Sequence, residues 1–319
     1  MKRLVIVALL MAGLTAHAWE PTKTIVSTIG FTPGSGNEIV FKTVAAQVEK
    51  NTGVKFVVIN KPGAGSAVAN EFIIKEPADG HHLLVGSVPA LAATDRMLLP
   101  NKVYGISNWT YAMSLASNPM AIIAHTTDPV NSIQDLVKAL KSEQINMGDP
   151  GSAARLTYEL LVKHAKFIEG NKNVMRVEYK GPADTLYDIM GKQIRFGILP
   201  SLMTIVPAQS GKIKVVAITG TNTTPLLPGV VTMSSVFPDF DFALNIGIVL
   251  PQDTPQEVVQ WYEREFGKAL DSPEVKEIFA RNLMFINKNL QNSKAFKAFV
   301  ENEERRYKSI VDKVLAAQK

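Results

Sequence analysis

The chain has no cysteine among its 319 residues. This excludes disulfide bonds, thiolate nucleophiles and zinc sites built on cysteine. Its five histidines show no His-Glu-x-x-His or other paired metal-binding spacing, and no Gly-x-Ser-x-Gly nucleophile turn is present. We therefore expect no catalytic residues, no metal site and no cofactor.

Charge of one sign is not concentrated anywhere in the chain. It has 34 basic and 29 acidic residues, and the basic ones are scattered or interleaved with acids, as at positions 303–306. Nucleic-acid binding needs a basic patch or stripe, so we expect no nucleic-acid partner. After Leu14 no apolar run approaches the roughly 20 residues of a membrane span. The length suits two domains of ordinary size or one large domain.

The first eighteen residues follow the pattern of a secretory signal peptide. Lys2-Arg3 supply positive charge, positions 4–14 are almost entirely apolar, and Ala16-His17-Ala18 is a small-x-small cleavage signal. The alternatives are a membrane anchor and a buried N-terminal helix. The pattern predicts removal of residues 1–18 near Ala18 and a periplasmic chain that begins near Trp19, with no cysteine for lipid attachment.

Short β-branched runs alternate with helical patterns along most of the chain. Examples are the predicted strand Lys23–Ile29, the helix Glu38–Asn51 and the strand Val54–Ile59, and the same order recurs from about Ala121 onward. This alternation predicts an α/β fold with mainly parallel sheets and helices on both faces. Ligands of such sheets bind in the loops beyond the carboxyl ends of the strands.

The loop from Phe31 to Glu38 joins the first predicted strand to the first helix. Its glycines allow backbone amides to face a cleft, and the start of the helix adds partial positive charge, which suits a carboxylate. An alternative is that Ser35 and Glu38 form a capping box that satisfies the helix without a ligand. A nucleotide site is excluded, because Gly34-x-Gly36 lacks the third glycine of the dinucleotide motif and no P-loop ending follows.

Other loops occupy equivalent positions. Pro62–Ser66, which contains Ala64, is either a second amide-rich ligand loop or a plain turn with Ser66 as N-cap, and Ser87 ends the next strand. In the second half, Gly151-Ser152-Ala153 precedes a helix, with Ser152 expected as its N-cap. Tyr179 follows another strand and is expected to form a wall of the cleft. Two anion-binding helix starts, one in each half, suggest a cleft between two lobes.

Several short segments occur in a characteristic order and spacing. No single segment is specific, but the combination is. The segments are Pro33–Glu38, Asn60–Gly65, Pro77–Leu84, Pro150–Ser152, Tyr179–Gly181, Gly191–Ile194, Gly211–Lys214 and Pro251–Pro255. From about Thr24 to Ile286 the chain resembles the periplasmic solute-binding receptors of tripartite tricarboxylate transporters, also called the TctC or Bug family. The resemblance implies a two-lobed periplasmic-binding-protein fold hinged by crossing strands, with residues 19–122 and 247–319 in one lobe and 123–246 in the other.

The resemblance also implies function. It implies a monomeric receptor that closes on a small organic acid (a di- or tricarboxylate, an aromatic acid or an amino acid) and delivers it to a membrane permease. The expected ligand-binding residues are Phe31, Pro33, Gly34, Ser35, Gly36, Asn37, Glu38, Ala64, Ser87, Gly151, Ser152, Ala153, Tyr179, Arg195 and Pro200.

The chain departs from the typical pattern of the family at three residues, and an arginine that is common after the predicted strand Lys214–Ile218 is missing from Thr221–Thr224. Ser35 interrupts a glycine pair, Glu38 replaces an aspartate, and Arg195 stands where an aspartate is usual. A longer acid at position 38 would shrink or redirect the pocket. Arg195 would attract a second carboxylate if it faced the cleft, or form a surface ion pair if it did not.

Two other functions remain open at this point. A sensing protein would present its closed form to a membrane kinase instead of a permease. An exported enzyme on the same scaffold would need a base and a nucleophile, which the sequence does not indicate.

Overall fold

The computed structural model describes residues 19–99, 101, 104–165 and 173–317. The predicted signal peptide, residues 1–18, lies outside the described residues. Within them the strands are β1 (Ile25–Ile29), β2 (Phe56–Asn60), β3 (His82–Ser87), β4 (Trp109–Asn118), β5 (Met120–His125), β6 (Ile145–Asp149), β7 (Val174–Glu178), β8 (Phe196–Pro200), β9 (Ile213–Ile218) and β10 (Leu244–Pro251).

The α-helices alternate with these strands and then dominate the C-terminal part of the chain. They are α1 (Gly36–Thr52), α2 (Ala67–Ile73), α3 (Asp95–Leu98), α4 (Ile133–Ser142), α5 (Ser152–His164), α6 (Pro182–Met190), α7 (Ile205–Gln209), α8 (Gln256–Asp271), α9 (Pro273–Ala280) and α10 (Ser293–Ala317). A π-helical segment, Ala90–Thr94, leads into α3. None of the helices in the described ranges is both long and apolar enough to cross a membrane.

Two five-stranded sheets organise these elements. The first has the order β2-β1-β3-β10-β4 and the second β7-β6-β8-β5-β9. In the first sheet β10 is antiparallel to both of its neighbours, and in the second sheet β5 is. The other four strands of each sheet run in one direction. The sheets are therefore mixed but mainly parallel, and the predicted two-lobed α/β class is confirmed.

The chain crosses between the sheets twice. Pro119 alone separates β4, in the first sheet, from β5, in the second, and residues 219–243 lead back from β9 to β10. The antiparallel strand of each sheet, β5 or β10, is therefore the first strand after a crossing. Sheet membership changes at Pro119 and before Leu244, a few residues earlier than the limits of 122 and 246 proposed from the sequence.

Aromatic packing holds the first lobe together. The ring centroids of Phe41 on α1, Phe56 on β2 and Phe266 on α8 lie 5.6 to 6.1 Å apart. Phe41 and Phe266 are fully buried, which is worth roughly 2–3 kcal/mol for each side chain. This packing fixes α1 against the sheet, so that its N-terminus faces the second lobe.

Candidate functional site

A pocket with about 320 Å³ of empty space, part of it open to solvent, lies between the two lobes. Its walls come mostly from residues at or beyond the carboxyl ends of β1, β6, β7 and β8, which is where an α/β sheet positions its ligand loops. Crossing-strand residues complete the walls. The lining residues are Phe31, Ser35, Gly36, Asn37, Met120, Pro150, Gly151, Ser152, Ala153, Ala154, Pro182, Pro200 and Leu244.

Ser35 is the polar group in this wall whose hydrogen bonding is unfinished. It precedes α1 with an extended backbone, and it is 1% exposed. Its hydroxyl has no hydrogen-bond partner among the described residues and caps no helix N–H. Because Ser35 caps no N–H of α1, the capping-box alternative is wrong for this residue. Buried hydroxyls are normally paired, so the Ser35 hydroxyl is an exception. This side chain lines the cavity and is free to bind a ligand.

Glu38 holds the same loop from outside the cavity lining. Its Oε2 accepts hydrogen bonds from the N–H of Gly34 (3.0 Å) and from Nδ2 of Asn60 (3.3 Å), and Oε1 pairs with Lys42. Burial would raise the pKa of this carboxyl, but the Lys42, Gly34 and Asn60 hydrogen bonds outweigh burial and lower it. Its carboxylate therefore fixes the loop, and an effect of Glu38 on the shape of the pocket stays a prediction.

The beginning of α1 supplies two further wall residues. Asn37 is buried, and its Nδ2 donates to the carbonyl of Val85 on β3 at 3.2 Å. Gly36 packs against the second lobe, since a Cβ at this position would lie 3.4 Å from Cβ of Pro200. Both residues lie in the first turn of α1, where backbone N–H groups have no acceptor within the helix.

The facing loop in the second lobe is built in a similar way. Asp149 accepts the N–H of Gly151 at Oδ1 (2.9 Å), and its Oδ2 pairs with buried Arg155 at 3.2 Å. Gly151 and Ser152 have φ values of 78° and 48°. Ser152 is the first residue of α5, not its N-cap as predicted, because Gly151 takes the N-cap position. An acid therefore organises the loop before the helix in each lobe.

The two lobes touch directly beside the cavity. The hydroxyl oxygens of Ser87, at the end of β3, and Ser152 lie 2.7 Å apart, and both side chains are buried. A Cβ added to Gly151 would lie 2.6 Å from Cα of Gly65 in the first lobe. Small residues of the two lobes therefore meet across the cleft. Ser87 is not among the lining residues of the cavity. It contacts the site through its hydrogen bond with Ser152.

Three predicted site residues face solvent. Pro33, Gly34 and Ala64 are exposed and lie outside the cavity lining. Gly34 instead provides the N–H that Glu38 accepts, with a φ of 81°. Ligand contact at Pro33, Gly34 and Ala64 stays a prediction, and their exposure gives it no support.

Tyr179 does not form a wall of the cavity. Its hydroxyl donates to Oδ2 of Asp188 on α6 at 2.6 Å, within the second lobe. Burial and this hydrogen bond raise the pKa of Tyr179 above its ordinary value. The side chain packs with the second lobe's own core, and ligand contact at Tyr179 stays a prediction.

Arg195 forms ion pairs away from the cavity. Its Nε lies 2.8 Å from Oδ2 of Asp128, and Nη1 lies 2.5 Å from Oε2 of Glu143. The ion-pair alternative is therefore confirmed, and the proposal that Arg195 binds ligand is wrong. The partners of Arg195 lie 67 and 52 positions away in the sequence, so local pattern could not identify them.

Five lining residues were missed at the sequence level: Met120, Pro150, Ala154, Pro182 and Leu244. Met120 and Leu244 begin the two reversed strands, where the chain has just changed lobes. The sequence feature that could have identified Met120 and Leu244 is their position at the start of a strand, directly after the chain crosses between the lobes. Among the described residues no group of three or more His, Asp or Glu side chains is arranged to hold a metal ion.

Comparison with known proteins places this architecture in a family. The family model TctC, described as "Tripartite tricarboxylate transporter family receptor", matches residues 40–315. The chain belongs to this family. Protein BugT of Bordetella pertussis is 23% identical over 266 residues, which cover 82% of this chain and 80% of BugT. A UPF0065 protein from the gbd 5' region of Cupriavidus necator is 23% identical over 318 residues, covering 96% and 93% of the two chains.

Solved structures show the same fold. The periplasmic binding protein BugD is 24% identical with a TM-score of 0.84, over 92% of this chain and 98% of BugD. MatC from Rhodopseudomonas palustris, solved with bound malate, is 21% identical with a TM-score of 0.84, over 92% and 100% of the two chains. An R. palustris protein solved with adipate has 22% identity and a TM-score of 0.83, over 92% and 98%.

Family membership confirms the predicted resemblance. The TctC receptors and the Bug proteins are periplasmic solute-binding proteins and not enzymes. The matched range begins after the first loop, at residue 40. The roles of Ser35, Gly36 and Asn37 therefore depend on the geometry of this chain.

Proposed function

We propose that this protein captures a small organic carboxylate between its lobes and delivers it to a membrane permease. The observation that carries the proposal is the buried, unpartnered hydroxyl of Ser35 in the wall of the interlobe cavity. A ligand oxygen at this point would complete the hydrogen bonding of Ser35.

Two helix N-termini favour an anion in the same space. Helix α1 has 17 residues and α5 has 13, and the first turn of each lines the cavity. The free N–H groups and the helix dipole place partial positive charge there. A carboxylate fits this environment without a charged side chain. The malate and adipate held by two structural neighbours belong to the same chemical class.

Ligand binding would be coupled to movement of the lobes. The wall residues come from both lobes, and two crossings connect the sheets. A ligand that contacts both lobes stabilises the closed form relative to an open one. The closed form would then be the form that the permease recognises, with one chain as the working unit.

We place this activity in the periplasm, after removal of residues 1–18. The first residues beyond the proposed cleavage site belong to the first lobe: the Trp19 ring lies 5.7 Å from that of Trp261, whose Nε1 donates to Glu20 at 2.7 Å. The intact mass of protein recovered from the periplasm tests this. A chain beginning at Trp19 is expected, and a full-length mass would contradict it.

Calorimetric titration of the mature chain with organic acids tests carboxylate capture. Ser35→Ala should weaken binding roughly tenfold or more, because a hydrogen bond to a charged group contributes about 1.5–3 kcal/mol. Ser27→Ala is the matched control: its hydroxyl is also buried and unpartnered, but it lies on β1 outside the cavity lining. Equal affinities for the two variants, or no acid bound by the unmodified chain, would refute the proposal.

A further inference from the structure

The hydrogen-bond donors of the cavity wall that no described contact uses belong to the starts of α1 and α5. They are the Ser35 hydroxyl and the first-turn N–H groups of Gly36 and Asn37 on α1, faced by the N–H of Ala153 on α5. These donors can surround one carboxylate. Each carboxylate oxygen has two acceptor positions, so a single group can use all of them.

The other polar groups of the wall are already engaged. The N–H of Met120 donates to Oγ1 of Thr219 at 2.8 Å, and the N–H of Ala154 donates to the carbonyl of Gly151 at 3.1 Å. The side-chain amide of Asn37 donates to a backbone carbonyl, and the Ser152 hydroxyl pairs with Ser87. Met120 and Ala154 therefore keep no N–H for a second carboxylate, and the Asn37 amide and the Ser152 hydroxyl keep at most one donor each.

The remaining wall is apolar and includes residues that have no N–H group. Three prolines contribute to it, at positions 150, 182 and 200. Phe31, Met120 and Leu244 add apolar side chains. A second carboxylate placed against these groups would lose its hydration without gaining hydrogen bonds.

No charged side chain compensates for such a group among the described lining residues. The acids beside the two loops, Glu38 and Asp149, are paired with Lys42 and Arg155 respectively. Arg195 is held by two carboxylates outside the cavity. The charges around the site are therefore balanced before the ligand arrives.

We infer that the cavity selects an organic acid with one carboxylate and an apolar remainder over a dicarboxylate of the same shape. The inference rests on the proposed function and narrows its ligand class. The inferred ligand class differs from malate and adipate, the dicarboxylates held by the structural neighbours. The reason is that the hydrogen-bond donors of this cavity serve a single carboxylate.

Pairs of acids that differ only in the second charge provide the test. In 4-methylpentanoate an isopropyl group replaces one carboxylate of succinate, and 5-methylhexanoate is related to glutarate in the same way. Calorimetric titration of the mature chain at neutral pH should give at least about tenfold tighter binding of the monoacid in the better-fitting pair, given the cost of burying an unpaired charge. Equal or tighter binding of the dicarboxylate would overturn the inference.

A wall variant provides a second measurement. Leu244→Gln adds amide donors to the apolar wall and should shift the affinity ratio towards succinate by about fivefold or more. Leu226→Gln, outside the lining, should leave the ratio unchanged. If Leu244→Gln folds but its affinity ratio for the two acids is unchanged, the inference is contradicted. If Leu244→Gln does not fold, the titrations of the unmodified chain alone decide the inference.

The two proposals fail in distinguishable ways. If Ser35→Ala weakens both acids relative to Ser27→Ala but succinate binds as tightly as 4-methylpentanoate, only the ligand class is wrong. If neither acid depends on Ser35, carboxylate capture at this cavity is wrong and the inference falls with it.

Discussion

At the residue scale, one hydrogen bond between the lobes helps to define the closed form. Ser87 and Ser152 meet at 2.7 Å in a buried position. Removing either hydroxyl should weaken acid binding by about 1 kcal/mol, or roughly fivefold, while the fold is retained. The double variant should lose little more, because the first substitution already removes the bond. Calorimetry on the two single variants and the double variant checks this, and additive losses would show that the serines act independently.

Glu38 makes the first loop sensitive to acid. Its pKa is lowered below the ordinary 4.5 in the folded chain, so the ionised carboxylate stabilises the fold above about pH 4.5. That contribution is lost as the pH falls through the folded-state pKa. Glu38→Gln should therefore reduce the free energy of unfolding by about 1 kcal/mol at neutral pH.

Urea unfolding of both proteins between about pH 7 and pH 3 measures this difference. The two free energies should converge on the acidic side of about pH 4.5. A constant difference across the whole range would show that Glu38 stabilises the loop without its charge.

Sequence identified some site residues and misplaced others for a physical reason. Ser35, Gly36, Gly151 and Ser152 follow strand ends and precede helices, a local pattern that places a residue at the ligand edge of a sheet. Pairing between distant residues has no local signal. Tyr179, for example, is held by Asp188 on the next helix, and spacing alone did not indicate that this pair turns away from the cavity.

At the element scale, the loop before α5 controls how closely the lobes approach. Gly151→Ala would introduce a Cβ 2.6 Å from Cα of Gly65, in addition to strain at a φ of 78°. Gly229→Ala is the matched control, since its φ is 77° and a Cβ there meets nothing within 4 Å. Both substitutions should cost about 1 kcal/mol of stability through backbone strain.

The two glycine variants should differ in ligand binding. Gly151→Ala keeps the cleft from closing fully and should weaken acid binding by roughly tenfold, whereas Gly229→Ala should leave it unchanged. Thermal unfolding together with calorimetric titration of both variants separates strain from closure. Unchanged acid affinity in Gly151→Ala would mean that the Gly65–Gly151 contact is not required for binding.

The order of elements was more predictable than their limits. Alternating strands and helices predicted the α/β class because the period of apolar residues differs between the two. The start of α1 was predicted at Glu38 but lies at Gly36. This difference of two positions matters, because only the earlier start gives Gly36 and Asn37 first-turn N–H groups. The reversed strands β5 and β10 depend on pairing between distant segments, which period does not specify.

At the scale of the whole molecule, two similar lobes are connected by two chain crossings and meet through small residues. Each lobe contributes one helix N-terminus and one acid that holds the preceding loop. This arrangement leaves one buried hydroxyl and a few backbone donors for the ligand. Capture of one carboxylate between the lobes follows from that arrangement, and the closed form would be favoured because the ligand contacts both lobes at once.

The most direct measurement is a crystal structure of the mature chain with the organic acid that binds it most tightly. The account predicts a carboxylate between the N-termini of α1 and α5, within hydrogen-bond distance of Ser35 Oγ and of first-turn N–H groups from both lobes, with the rest of the acid against Leu244 and Met120. An acid bound at any other place, or bound in this cavity without contact to Ser35, would contradict it.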